Sequence, residues 1–181
     1  SKKDYVSMGI PFINAGTLEN GQVNIALSNF ITLEKYMALS AGKIQKNDIL
    51  YCLRGSLGKS AIIYDDMQGA ISSSLCIIRT NKMFDMKYCY YLLNSDVIAK
   101  QQQEVDNGTA QPNLSAASVL QYKLPIPPLT EQHRIVKQIE SLFAKLDEAR
   151  EKIQVVLDDS EERKSAILFK AYSGALTKEW C

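Results

Sequence analysis

The sequence predicts an α+β chain: a compact domain of mixed sheet and helix, followed by one long projecting helix of coiled-coil type. Three observations predict it. The centre carries three short runs of strand-forming residues between glycine, serine and aspartate punctuation. A stretch from Asp85 places apolar residues at helical spacing. A proline-rich phrase then opens a repeat of 3.5 residues.

In chain order, Ile10-Pro-Phe-Ile13 and Phe30-Ile-Thr-Leu33 read as strands flanking Gly16 and the turn signal Asn20-Gly21. The central runs are Ile49–Leu53, Ala61–Tyr64 and Ser74–Ile78. Tyr88, Tyr91, Leu92 and Ile98 predict one helix from about Asp85 to Gln103. Gly108–Ser115 reads as a loop, and Val119–Ile126 as a last extended segment. Pro125, Pro127 and Pro128 cannot continue a helix, so the chain enters the next element extended. Thr130 is the expected cap, with Glu131 against the positive helix end. Ile135, Ile139, Leu142, Leu146, Ala149, Ile153 and Val156 then alternate steps of four and three, the seam of a coiled coil. No breaker occurs before Gly174, which gives a helix of about 42 residues, or ~63 Å. The expected boundaries are a domain over 1–124, a connector over 125–130, the helix over 131–173 and a tail over 174–181. The helix is too long for the needs of a small core. It reads as a spacer or an assembly device.

Composition excludes several function classes. The 181 residues carry a net charge of +1, too little for an unspecific nucleic-acid binder. Neither part departs far from neutrality, with twelve Lys/Arg against ten Asp/Glu over 1–130 and eight against nine over 131–172. Cys52, Cys76, Cys89 and Cys181 lack CxxC spacing and have one histidine to join them, so free thiols in a reducing, cytoplasmic setting are expected and no metal site. No apolar run reaches membrane-spanning length.

The search for catalysis yields one false lead. Gly55-Ser-Leu-Gly-Lys-Ser60 resembles a phosphate loop, but Leu53 stands where its first glycine belongs, and Ala61-Ile-Ile-Tyr64 reads as strand where a helix must follow. A glycine turn between strands is the better reading. His133 has no nucleophile to serve, and Asp48, Asp65, Asp66 and Asp106 show no acid–base or metal spacing; turns and solvated faces are their expected places. The chain reads as a binder without catalytic residues.

Three phrases resemble the specificity (S) subunits of type I restriction–modification enzymes. They are Lys46-Asn-Asp-Ile-Leu-Tyr51 with Gly55 and Gly58; Gly108-Thr-Ala-Gln-Pro-Asn-Leu-Ser115; and Leu124-Pro-Ile-Pro-Pro-Leu-Thr-Glu-Gln-His-Arg-Ile-Val136 with Lys164–Leu176. The last, an "lPlPPl-EQ-x-IV" helix start with its matching helix end, is the most specific. The resemblance implies a non-catalytic subunit that reads double-stranded DNA for a methyltransferase (M) and a translocating endonuclease (R). It makes 1–124 a target-recognition domain and the helix a spacer between two such domains. S-adenosylmethionine and adenine methylation would belong to the M partner, docked on the long helix and the Pro125–His133 entry, and this chain would bind no cofactor.

The chain departs from the family pattern in holding one recognition domain and one helix, as a half-length form, and in starting close to Gly9-Ile-Pro-Phe12. Antiparallel pairing of two copies through the seam would restore two domains, and twofold symmetry would then demand a gapped inverted-repeat target. The alternative is a structural or regulatory chain that pairs with a different S chain without reading DNA. For DNA contact the candidates are Arg54 and Lys59 beside the glycine turn, Lys43 and Lys46 upstream, Arg79 and Lys82 after the third strand, Ser72, Ser73 and Ser74, Asn14, and Gln111 and Asn113.

Overall fold

A computed structural model describes residues 5–105, 113–176 and 178. The chain divides into two units, 1–136 and 137–181, which are taken in turn.

In the first unit, β1 (Tyr5–Val6), β5 (Asn29–Ile31), β2 (Ile10–Ile13) and β8 (Ala70–Ile71) form a sheet in that order, with β2 and β8 parallel. A second sheet runs β7 (Ser60–Ile62), β6 (Ile49–Cys52), β9 (Leu75–Ile78), antiparallel throughout. Every residue of β6 is buried, as its unbroken apolar run requires of a strand covered on both faces. Side chains alternate across it. Ile49, Tyr51 and Leu53 enter one core with Tyr88, Leu92, Ile98 and Val136. Leu50 and Cys52 enter a second with Ile13, Leu18, Ala61 and Ile63. The central sheet is therefore the wall between two cores.

The Asn20-Gly21 signal closes a hairpin of β3 (Leu18–Glu19) and β4 (Gln22–Val23). Both turn residues take positive φ, 50° and 76°, as a type I′ turn needs. The turn is not a free tip: Gly21 O accepts from Ile62 N at 3.0 Å, tying the hairpin to β7. The expected strand at 30–33 is β5 and stops at Ile31. Thr32 then caps α1 (Leu33–Ala38) by accepting from Lys35 N.

Where one helix was expected over 85–103 there are two, α2 (Met86–Leu93) and α3 (Asp96–Val105). Between them Asn94 donates to Ser60 Oγ and Tyr90 O, both at 2.7 Å, and Ser95 Oγ donates to Leu92 O at 2.6 Å. Side chains that bond to local backbone compete with helix continuation. The expected extended segment 119–126 is likewise different. Ser115 caps α4 (Ala116–Val119), a turn follows, and 122–128 hold no regular structure. Gln101 instead brackets Lys123, accepting from its N–H and donating to its carbonyl.

The long helix is α5 (Leu129–Tyr172), 44 residues or about 66 Å. It begins one residue before Thr130, not after it. Pro128 O accepts from Glu131 N and Gln132 N, so Pro128 occupies the cap position and Thr130 lies in the first turn. Proline is tolerated at this entry because the N–H it lacks precedes the helix and would have no intrahelical partner. Gln132 is fully buried and joins this first turn to α2. Its Oε1 accepts from Asp85 N, and its Nε2 donates to Met83 O and Pro127 O. Tyr88 OH donates to Pro125 O at 3.0 Å.

In the second unit α5 continues to Tyr172 and ends before Gly174, whose φ of 76° is open to glycine. The ion pairs Arg150–Asp147, Lys152–Glu148, Arg163–Asp159 and Lys164–Glu161 along it are exposed and three or four residues apart, worth about a few tenths of a kcal/mol each. Leu142, Leu146, Ile153 and Val156 are 48%, 56%, 60% and 68% exposed.

Candidate nucleic-acid interface

The candidate residues sort onto two opposite ends of β6. At its C-terminal end, Leu53 N donates to Ser74 O and Leu114 N to Leu53 O, while Arg54 bridges Asn113 through backbone. Ser72 N donates to Ile13 O, and Cys52 N to Lys59 O. These bonds bring together Asn14, Arg54, Lys59, Ser72–Ser74 and Asn113 from five separate stretches of sequence. Arg54, Ser73 and Asn113 are exposed, and Lys59 is half-buried. Gly55 takes φ 87°, and a Cβ there would meet nothing within 4 Å, so the backbone of this turn is open to a ligand. The chain from Gly55 to Lys59 returns into β7, a strand, where a phosphate loop would require a helix.

Several candidates at this end are already committed. Asn14 Oδ1 accepts from Gly16 N at 2.8 Å and caps a short 3-10 turn. Ser72 and Ser74 share a hydrogen bond at 2.7 Å. Gln111 lies outside the described residues.

Lys43, Lys46, Arg79 and Lys82 gather near the other end, about 20 Å away by the rise of the six residues from Asp48 to Arg54. Asp48 is not on a solvated face, as expected from sequence, but fully buried. It does serve a turn, its Oδ2 accepting from Gln45 N at 2.7 Å. Its carboxylate is satisfied by Arg79, with Nε to Oδ1 at 2.6 Å and Nη2 to Oδ2 at 2.9 Å. Nη2 also donates to Lys43 O at 3.1 Å. These bonds to the carboxylate hold the Arg79 pKa above its ordinary value. The Arg79 side chain is nevertheless 51% exposed. Lys43 holds its ammonium 5.0 Å above the Tyr36 ring and donates to Met37 O at 3.3 Å. Lys46 and Lys82 are exposed.

The burial of Asp48 under Arg79, and the part played by Tyr36, escaped the sequence reading. An aspartate directly before a wholly apolar strand was the available signal, since such a position is buried with the strand it leads. Other titratable groups offer little chemistry. His133 Nε2 lies 3.5 Å from Asp85 Oδ2 with its side chain 64% exposed. Burial pushes the Cys76 thiol up to about 11 and Cys89 up to about 12, and raises Cys52 as well. Among the described residues no group of three or more His, Cys, Asp or Glu is arranged to hold a metal, and no helix is long and apolar enough to cross a membrane.

Along the seam, Ile135 packs against the core of the first unit beside buried Val136, and Ile139 is half-buried. Ile135 thus belongs to the domain's own core, because the entry turn is pinned down through Gln132. The exposed apolar row starts at Leu142.

The family model for the type I restriction modification DNA specificity domain matches residues 1–157. The specificity subunit of the type I restriction enzyme EcoBI of Escherichia coli is 26% identical over 98% of this chain and 38% of its own length. That of EcoKI, from the K12 strain, is 23% identical over 99% and 38%. The crystal structure of the HsdS subunit from Thermoanaerobacter tengcongensis superposes with a TM-score of 0.63 at 25% identity, covering 82% of this chain and 39% of that one. A structure of the assembly of a type I R-M system gives 0.69 at 25%, covering 88% and 42%. The chain thus spans about two fifths of the length of the relatives it matches.

Proposed function

Because the chain belongs to the family of type I restriction modification DNA specificity domains, we propose that it is the DNA-reading component of a restriction–modification complex and works as a pair of identical chains. One observation carries the pairing: Leu142, Leu146, Ile153 and Val156, with Phe143, Val155 and Leu157 beside them, leave apolar side chains about half or more exposed along a helix that also carries exposed ion pairs. Such a row is stabilised by a second helix of the same pattern. A half-length chain that pairs antiparallel would carry one recognition domain at each end, the layout that the family resemblance implies for a full-length chain. Isologous pairing makes the two half-sites identical and inverted, with an unread spacer between them.

In this reading the exposed Arg54, Ser73 and Asn113 supply base contacts, and lysines and arginines nearby supply backbone contacts. The M subunit docks on the helix and its proline-rich entry and carries S-adenosylmethionine; the R subunit joins that assembly. Compartment follows from the partner chemistry and is cytoplasmic.

The test is selection from random duplexes by the chain copurified with its methyltransferase subunit. The proposal expects a gapped inverted repeat. A gapped asymmetric site would mean pairing with a different S chain. No enrichment from an intact complex would refute DNA reading and favour a structural role.

A further inference from the structure

The plane of exposed Arg79 is set by a buried carboxylate before any ligand arrives. A guanidinium has five N–H donors. Nε is spent on Asp48 Oδ1, and both hydrogens of Nη2 are spent on Asp48 Oδ2 and Lys43 O. The carboxylate that holds it is fully buried and is itself fixed by Gln45 N. What remains is Nη1, with two hydrogens, on a side chain that is half exposed.

That side chain lines an open cleft of 370 Å³ together with Lys43, Gln45, Gly42 and Ser40. The volume is room for on the order of ten waters, so a phosphodiester enters without displacing protein. The Lys43 ammonium is restrained by the Tyr36 ring and Met37 O. Counting Asp48 against Arg79 leaves Lys43 as the net positive charge of the cleft, with exposed Lys46 on the adjoining turn.

We infer that Asp48 is a positioning residue that fixes Arg79, alongside Lys43, as an anchor for a DNA backbone phosphate. The inference rests on the DNA-reading proposal and adds the nature of the contact. Bidentate reading of guanine needs hydrogens from two nitrogens of the guanidinium. Any such neighbouring pair, Nε with Nη2 or Nη1 with Nη2, includes Nη2, whose hydrogens are taken. Nη1 alone suits a phosphate oxygen, and a phosphate contact sets position without reading sequence.

The experiment is binding of the copurified complex to its selected duplex and to a scrambled one, between 50 and 200 mM salt, for wild type, Asp48→Asn, Arg79→Lys, Arg79→Gln and Lys43→Gln. Each lost phosphate contact lowers the slope of log affinity against log salt by about 0.9. Arg79→Gln and Lys43→Gln are each expected to lose about that much per recognition domain, equally on both duplexes. Asp48→Asn keeps the arginine charge but loosens it, and is expected to lower the slope too, whereas a purely structural pair would lower the melting temperature and leave the slope of the folded protein alone. Should Asp48→Asn fail to fold, Arg79→Lys keeps the charge without the two-pronged hold and tests the same point. Unchanged slopes in Arg79→Gln and Lys43→Gln would overturn the anchor, as would a loss confined to the selected duplex, which is the mark of base reading. Wild type that binds neither duplex would overturn the DNA-reading proposal itself, and the anchor with it.

Discussion

Replacing Gln132 by leucine tests the hold on the first turn of α5 within the first unit. The amide is fully buried and makes three hydrogen bonds, from Asp85 N at 2.8 Å and to Met83 O at 2.9 Å and Pro127 O at 2.8 Å. Leucine fills most of the volume but leaves one N–H and two carbonyls without that partner. A buried polar group deprived of its partner costs about 1–3 kcal/mol, so the three sum to roughly 3–9 kcal/mol if water does not enter, a large share of the roughly 5–15 kcal/mol typical of a domain. Urea unfolding followed by far-ultraviolet dichroism is the assay, with the change read from the midpoint at constant slope. Gln132→Glu makes the reasoning sharper. It keeps an acceptor for Asp85 N but turns a second oxygen toward two carbonyls, so it is expected to destabilise at least as much at neutral pH and to recover partly where the carboxyl is protonated and can donate once. A loss below about 1 kcal/mol for Gln132→Leu would refute the view that this amide pins the first turn of α5.

Gly21→Ala places a Cβ against the Tyr90 hydroxyl and forces alanine into φ 76°; a loss of about 1–3 kcal/mol is expected in the same unfolding assay, and a neutral result would mean the hairpin is not held against α2. On the pairing proposal, Leu142→Asp with Leu146→Asp is expected to give single chains in light scattering and to abolish gapped recognition, while a dimeric, DNA-competent double variant would sink the seam. The thiols predict alkaline sensitivity. Cys76 and Cys89 have folded pKa values raised from 9.0 to about 11 and about 12, so their contribution is whole below about pH 9 and is lost as pH climbs towards those values. Native protein at pH 8 should accordingly label slowly at both with a disulfide reagent, and rapid labelling at either would contradict its burial.

Much of the fold was legible because the decisive signals were local. Continuous apolar runs mark β6, β7 and β9, Asn20-Gly21 marks the I′ hairpin, and the 3.5-residue repeat between Pro128 and Gly174 marks α5. The errors fall where a side chain overrides propensity. Nothing in the helical spacing of 85–103 shows that Asn94 would reach Ser60, a residue 34 positions earlier, and so split the helix. Thr130 looked like the cap because its hydroxyl suits that role, yet the deeper hold of Gln132 sets the start at Leu129. The site was legible as a set of residue types and not as an arrangement. Asn14, Ser72 and Ser74 have the chemistry of base contacts but use it on their own backbone or on each other, and only the pairing of β6 with β9 brings Asp48 to Arg79.

That arrangement constrains how DNA would be met. Arg54 and Arg79 stand near opposite ends of β6, about 20 Å apart, whereas a major groove is about 12 Å wide. Laid across one groove, the two clusters cannot both reach base edges. Arg79 has no neighbouring pair of donors free for a base, while Arg54, Ser73 and Asn113 are exposed beside a glycine turn whose backbone is open. On the DNA-reading proposal this divides the labour: the Arg54 end reads, and the Arg79 end holds the strand that borders the groove. Substitutions at the Arg54 end should then change which sequence is selected, and those at the Arg79 end only how salt-sensitive its binding is.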